Sequence, residues 1–574
     1  MMNEFIFGTL ATLERRVAYA RARQEGVWHH YRLEPYTPRP GDTPTLFVTT
    51  ELPQAIERVT CHLVEPETAD IELQPGRPQW DLLNWCYYQT WQATLPPRPA
   101  GTIVRYTIQA YPAGGGEPVA ADQGGTFSYL VGDPAEPAWA AGAIIYQIMP
   151  DRYYPGDGRA WRAANHLGEI HGGTLRGIIE KLDYIADLGF NCLWLNPFFP
   201  DDTHHGYHAT DYFSVNPRLG TLADVRELVK QAHQRGMRVL LDFVANHWSS
   251  QHTTFQAALA DRHSDYYNWY HWLDWPRDYE TFFGVMELPK VNVDYPGARN
   301  YLLKAADYWL ADVGFDGYRL DYALGPSHDF WTELRATVKA ARPDAWLFGE
   351  VVETPTTQLS YEGRLDGCLD FLLMQALRDT FAFGTMGVAA LDNFLNLHEA
   401  FFPAYFSRPS FLDNHDVNRF LWLVKGDKRK LKLAALCQFT LSGQPIVYYG
   451  TEVGLFQSRD IVWPDGRHIM EEARQPMLWG GEQDPDLLAY YRWLVHLRRQ
   501  HPCLWRGRRQ TFRLDDAAGT YVYGRSDGQE TLVVALNASD EEHQVEAAGH
   551  AFTLPPWSGD VLNISFPFQF SRLA

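Results

Sequence analysis

Between residues 143 and 450, short apolar runs rich in β-formers alternate with longer amphipathic segments, and no other feature of the chain constrains its fold as tightly. The runs are AIIYQI (143–148), CLWL (192–195), RVLLDFV (238–244), GYRLDY (317–322), WLFGEV (346–351), CLDFLL (368–373), RPSFLDN (408–414) and PIVYYG (445–450). Continuous rather than alternating apolar character marks strands covered on both faces. Between them lie helical patterns such as LRGIIEKLDYIADLG, where Ile178, Leu182, Ile185 and Leu188 recur at helical spacing, together with LADVRELVKQAHQRG and NYLLKAADYWLADVG. Each of these runs into glycine, a common helix stop. Eight such strands, most of them followed by a helix, predict an α/β fold of the (β/α)8 TIM-barrel type. A doubly wound open sheet is the competing arrangement, but no glycine-rich phosphate loop follows the first strand.

At 574 residues the chain exceeds what one core organises. Residues 1–135 carry alternating β-runs between Gly and Pro clusters, among them TPTLFVTT, IERVTCHLV and GTIVRYTIQAYP, and are expected to form a β-sandwich. VGDPAEPAWAAG (131–142) reads as a linker, and the barrel is expected over 136–500. Residues 248–295, rich in Trp, Tyr and Asp, are too long for a βα loop and read as a small subdomain on the catalytic face. Past residue 500, TYVYGRS, ETLVVALN and HAFTLPP return to β-alternation, so 501–574 is expected to be a C-terminal β-domain.

A net charge of −20 argues against nucleic acid or an anionic membrane as the main partner. The six cysteines include no CxxC pair, so neither a zinc site nor a disulfide framework is indicated. MMNEFIFGTLATLERR has an acidic residue where a secretory leader would carry positive charge, and no run reaches membrane-spanning length, so a cytoplasmic location is expected.

The C-terminal strand ends of such a barrel form its active face. They supply Asp242, Asn246 and His247 after strand three, Arg319 and Asp321 on strand four, Glu350 after strand five, and Asn414, His415 and Asp416 after strand seven. HHGYHATDY after strand two adds His205, Tyr207 and Asp211. Three carboxylates, two histidines and an arginine converge without a serine or cysteine nucleophile, an inventory that suits glycoside hydrolysis. Arg319 stands two residues before Asp321, on the same strand face, and can keep that carboxylate ionised. Simpler roles compete: Asp321 as a helix N-cap, His247 as a satisfied core histidine, and Asp242 as a loop-closing carboxylate, the role favoured for it here. Joint occurrence at four strand ends favours chemistry.

The ordered motifs DFVANH, GFDGYRLD, GE and FLDNHD resemble the four signature regions of the α-amylase family (glycoside hydrolase family 13), over roughly residues 143–500. The resemblance implies a retaining glycosidase with Asp321 as nucleophile, Glu350 as acid/base and Asp416 as transition-state stabiliser. It further implies sugar contacts from His205, Tyr207, His247 and His415, with Arg319 supporting the nucleophile. LPKVN (288–292) and the N-terminal sandwich resemble the neopullulanase and cyclomaltodextrinase subgroup, commonly intracellular dimers, so an α-glucan substrate and a homodimer are what the resemblance offers as partners. Departures are RLDYALG, with Gly325 where the subgroup tends to have glutamate, GEVVET, and DRYYPGDG in place of an asparagine-rich calcium loop. Asn246 matches a calcium-linked asparagine, but no full ligand set is visible, so neither a metal nor another cofactor is expected. Hydrolysis of α-1,4 bonds in cyclodextrins, maltooligosaccharides, pullulan or starch is the leading expectation. A 4-α-glucanotransferase or branching-type enzyme shares the same motifs, and a catalytically dead binding protein of this fold would usually have lost one of the three acids.

Overall fold

The computed structural model describes residues 12–463 and 467–564. An exposed helix (Leu13–Ala22), capped by Thr12, opens the described chain; sequence patterning did not single it out. The apolar stretch before it lies outside the described residues. Two antiparallel sheets follow. One contains Gly26–Trp28, Thr45–Glu51 and Cys86–Thr94, and the other Ile56–Glu65, Ile103–Pro112 and Phe127–Leu130. Strand Ile103–Pro112 buries every second residue, as a strand facing a core on one side must. Val48, Val59, Trp91, Tyr106 and Ile108 fill the space between the sheets.

The barrel strands run parallel in the order sixth (Gly367–Cys368), fifth (Trp346–Gly349), fourth (Gly317–Asp321), third (Arg238–Val244), second (Cys192–Leu195), first (Ile145–Ile148) and eighth (Ile446–Tyr448). Strands two, four and five are buried at every position, which explains their continuous apolar character. The helix Leu222–Gln234 starts in a capping box between Thr221 and Asp224. Gly189 and Gly314 end their helices in the left-handed conformation.

Three local expectations are corrected. The 408–414 segment is not a full strand: the ring closes through parallel bridges Gly367↔Ser407 and Ser410↔Pro445, with Cys368 N donating to Ser407 O (3.0 Å) and Ile446 N to Ser410 O (2.7 Å). The sixth strand stops at Cys368, because the Asp370 side chain accepts from Leu373 N and starts a helix at Phe371. The first long helix is broken at Lys181 into Leu175–Glu180 and Leu182–Leu188, and the Lys181 ammonium there lies over the rings of Tyr154 and Trp479.

The segment after strand three forms a helix (Thr253–Ala260) and two small hairpins, Trp272–Asp274 with Asp278–Tyr279 and Thr281–Phe282 with Val285–Pro289. The bridge His247↔Lys290 and the bond from Val291 N to Asn246 O (2.9 Å) sew it to the end of strand three, and the bridge Tyr270↔Val291 ties the segment to itself. A C-terminal sheet of Arg508–Asp515, Thr520–Ser526, Thr531–Asn537 and Ser558–Ile564 docks on the barrel, where the Tyr523 hydroxyl meets Thr440 Oγ1 at 2.6 Å. Among the described residues no helix is long and apolar enough to cross a membrane.

Candidate active site

The strand ends deliver their polar side chains into one cleft of about 650 Å³ at the C-terminal mouth of the barrel. Asp321, Glu350, Asp416, His205, Tyr207, His247 and His415 all line it. Arg319 lies beneath, fully buried. Its Nη1 is 2.7 Å from Asp321 Oδ1 and 2.7 Å from Asp242 Oδ1, while Nη2 is 2.9 Å from Glu350 Oε2. One planar guanidinium therefore holds three carboxylates, which a point-charge ammonium could not arrange in the same way. Asp321 and Glu350 sit on its two different terminal nitrogens.

Burial raises Asp321 to about 7, against the pull of Arg319. Burial also lifts Glu350, with Asp321 and Asp416 adding to the rise and Arg319 opposing it. Asp416 behaves differently. Burial is outweighed by His415 (2.9 Å) and by Arg474, whose Nη2 lies 2.9 Å from Oδ1, so its carboxyl is held below the usual range. The site thus keeps one carboxylate firmly ionised and two others poised to share a proton.

The histidines are neutral donors and acceptors. Burial lowers His415, and it pushes His247 down to about 3. Gln147 Nε2 donates to His415 Nδ1 (2.9 Å), which places the ring proton on Nε2. Tyr207 joins the two halves of the site: its hydroxyl donates to Asp242 Oδ2 (2.8 Å) and meets His415 Nε2 at 2.6 Å. His205 Nδ1 accepts from Tyr207 N (3.1 Å), and His247 stacks on Phe282 with centroids 4.3 Å apart. Asp211 stays outside the cleft lining, accepting from Phe213 N and closing its own loop.

The family profile described as "Alpha amylase, catalytic domain" matches residues 147–501. The chain belongs to the α-amylase family. It is 40% identical over 407 residues to alpha-amylase 2 of Dictyoglomus thermophilum, covering 71% of each chain. It is 36% identical over 426 residues to a cyclomaltodextrinase of a Bacillus species, covering 71% of this chain and 74% of that one. Among solved structures, the cyclic α-maltosyl-(1→6)-maltose hydrolase of Arthrobacter globiformis superposes with a TM-score of 0.69 at 32% identity, over 75% of this chain and 100% of that one.

Within this α-amylase-family site, several residues escaped sequence reading. Asp242, read as a loop-closing carboxylate, is fully buried against Arg319, Tyr207 and Trp194 Nε1 (3.0 Å). Arg474 comes from a short 3-10 turn (Met470–Ala473) with no periodicity to mark it. Phe282 and Phe283 come from the tip of an insertion hairpin, where only their aromatic character was a clue.

The loop DRYYPGDG (151–158) lies where the family carries its calcium loop. The Tyr154 carbonyl accepts from Thr174 N (3.0 Å), the Pro155 carbonyl accepts from Thr174 Oγ1 (2.7 Å), and Asp157 pairs with Arg159 (2.7 Å). Backbone contact between Gly156 and Gly177, where an added Cβ would lie 2.5 Å from Gly177 N, fills the hollow. The oxygens of this loop are thus already engaged within the protein. Asn246 Oδ1, buried and without a protein hydrogen bond, faces Gly325. Among the described residues no group of three or more His, Cys, Asp or Glu side chains could hold a metal ion.

Proposed function

We propose that the chain is a retaining α-glucan hydrolase that cleaves α-1,4 bonds of cyclodextrins, maltooligosaccharides, pullulan or starch. The observation that carries this reading is the pairing of Asp321 and Glu350 on one guanidinium, with Asp416 held ionised in the same cleft. Two carboxyls held by one guanidinium suit displacement by a protein nucleophile; an inverting site sets its two acids further apart, with room for a water between them. Asp321 Oδ1 is engaged by Arg319, so Oδ2 attacks the anomeric carbon while Glu350 gives its proton to the departing glycosidic oxygen. Glu350, now a carboxylate, takes a proton from water, whose oxygen attacks the same carbon and releases Asp321. Each cycle consumes one water and returns both acids to their starting states. The ionised Asp416 stabilises the positive charge that develops on the sugar.

The experiment is incubation with cyclodextrin, pullulan and soluble starch, following reducing ends and the anomer first formed. No reducing ends from any of the three, with wild type and Glu350→Gln equally inert, would sink the reading. Transfer to a sugar acceptor shares the covalent intermediate, and the aromatic walls formed by Phe282, Phe283 and Tyr322 give such an acceptor a surface. Product chromatography at high oligosaccharide concentration measures the partition.

The same proposal includes action without a bound metal, supported by the self-satisfied loop at Thr174, and checked by activity and metal content after dialysis against a chelator. It also includes a cytoplasmic setting, supported by six free cysteines. A dimeric state is checked by sedimentation.

A further inference from the structure

Tyr322, the residue after Asp321, takes no part in the bond-making steps of that scheme. Its φ is +36°, a left-handed conformation that a bulky side chain adopts only when its surroundings impose it. In that pose its N–H points at Glu350 Oε2, 3.0 Å away, while its carbonyl accepts from Gly325 N. The backbone here is stitched across two strands, with Glu350 N donating to Leu320 O and Ala323 N to Glu350 O. The Tyr322 ring packs edge-on against Phe282 (5.0 Å, 78°) and Phe283 (5.3 Å, 65°) at the tip of the insertion hairpin. Phe283 is itself at φ +48° and 75% exposed, an unusual position for a phenylalanine with no partner, but natural for one that reaches across a cleft to hold another ring.

We infer that Tyr322 is a positioning residue for Glu350, and that the insertion, through Phe282 and Phe283, clamps the backbone N–H that orients this carboxyl. The inference rests on Glu350 being the acid/base. A hydrogen bond from N–H favours the charged carboxylate, so it opposes the other influences around Glu350. The charged and titratable groups facing it are Arg319 and Asp321 on strand four and Asp416 after the seventh segment. Glu353 and His415 share the cleft. Releasing the clamp lets Tyr322 relax, withdraws the N–H and leaves Glu350 harder to ionise and less well aimed.

The test is the pH dependence of kcat/KM on a maltooligosaccharide for Phe283→Ala, Tyr322→Ala and Tyr322→Phe, with thermal melting of each. Phe283→Ala and Tyr322→Ala are expected to move the basic limb upward by up to about one pH unit and to lower kcat roughly ten- to hundredfold. Tyr322→Phe keeps the ring and is expected to match wild type in both. A rise in KM with kcat and the basic limb unchanged would mean that the rings only contact sugar, and would overturn the inference. Should Phe283→Ala melt below the assay temperature, Phe283→Leu replaces it, with a smaller shift in the same direction expected and no shift counting against the clamp. Full activity in Glu350→Gln would instead remove the underlying assignment, so the two failures are distinguishable.

Discussion

The ring of Tyr207 lies parallel to that of His415, with planes within 2° and centroids 5.3 Å apart, and the Tyr207 hydroxyl meets Nε2 at 2.6 Å. That hydroxyl is also an anchor for Asp242, so it ties the buried Arg319 cluster to the mobile-proton side of the site. Tyr207→Phe is expected to leave Asp242 Oδ2 with Trp194 alone. The cost is about 1–3 kcal/mol of stability, read by urea unfolding, with a fall in kcat larger than any change in KM.

Asp321→Asn and Glu350→Gln are expected to lower kcat by roughly 10²–10⁴ or more, while each protein keeps its melting temperature or gains a little. Both carboxyls are raised by burial, so their neutral replacements relieve a desolvation cost. A kcat within tenfold of wild type in either variant would remove that residue from the chemistry.

The pH profile follows from the same burial. In the proposed scheme Asp321 attacks as a carboxylate, so activity is expected to be lost as pH falls through its raised pKa of about 7. Glu350 donates its proton in the same scheme, so activity is expected to be lost as pH rises through its own raised value. The two titrate as a coupled pair, and both limbs of kcat/KM are expected at higher pH than an ordinary carboxylate pair would give. Arg319→Met removes the charge that favours ionised Asp321 and is expected to push the acid limb higher still, with a stability loss of about 3–5 kcal/mol.

Gly325→Glu, which restores the residue usual in the neopullulanase-like subgroup, is not expected to be neutral. A Cβ at 325 would lie 1.9 Å from Asn246 Oδ1, so the buried Asn246 side chain must turn away and give up its 3.2 Å contact with His247 Nδ1. Destabilisation of about 1–3 kcal/mol and a raised KM are expected, read by calorimetry and steady-state kinetics.

At the opposite end of the barrel, Asp316 is fully buried among Arg238, Arg342 and His233, each 2.7 Å away. Burial is outweighed by these partners, and its carboxyl is held low. Its stabilisation is therefore present above the ordinary carboxylate pKa and lost as pH falls through the depressed folded value. Asp316→Asn is expected to cost about 3–5 kcal/mol at neutral pH without altering the pH limbs of catalysis.

What the chain disclosed about itself depended on periodicity. Strands buried on both faces announce themselves as unbroken apolar runs, and a carboxylate or histidine at their ends stands out, which is why Asp321, Glu350, His247 and Arg319 were legible. Arg474, Phe282 and Phe283 were not, because they arrive from turns and a hairpin tip whose geometry is fixed by tertiary contacts. The 408–414 segment misled for a related reason. Its apolar composition suited a strand, yet its backbone pairs with neighbours only around Ser407 and Ser410.

That sparse pairing has a consequence for Asp416. The stave carrying it is joined by isolated bridges rather than a ladder, and the carboxylate is moored from the side. Arg378 grips the carbonyls of Leu412 and Asn418, and Arg474 grips the carbonyl of His415 and the acid itself. Guanidinium guy-lines, rather than a ladder beneath, keep this acid facing the cleft, and amide exchange along 407–412 should be the first in the ring to quicken on warming.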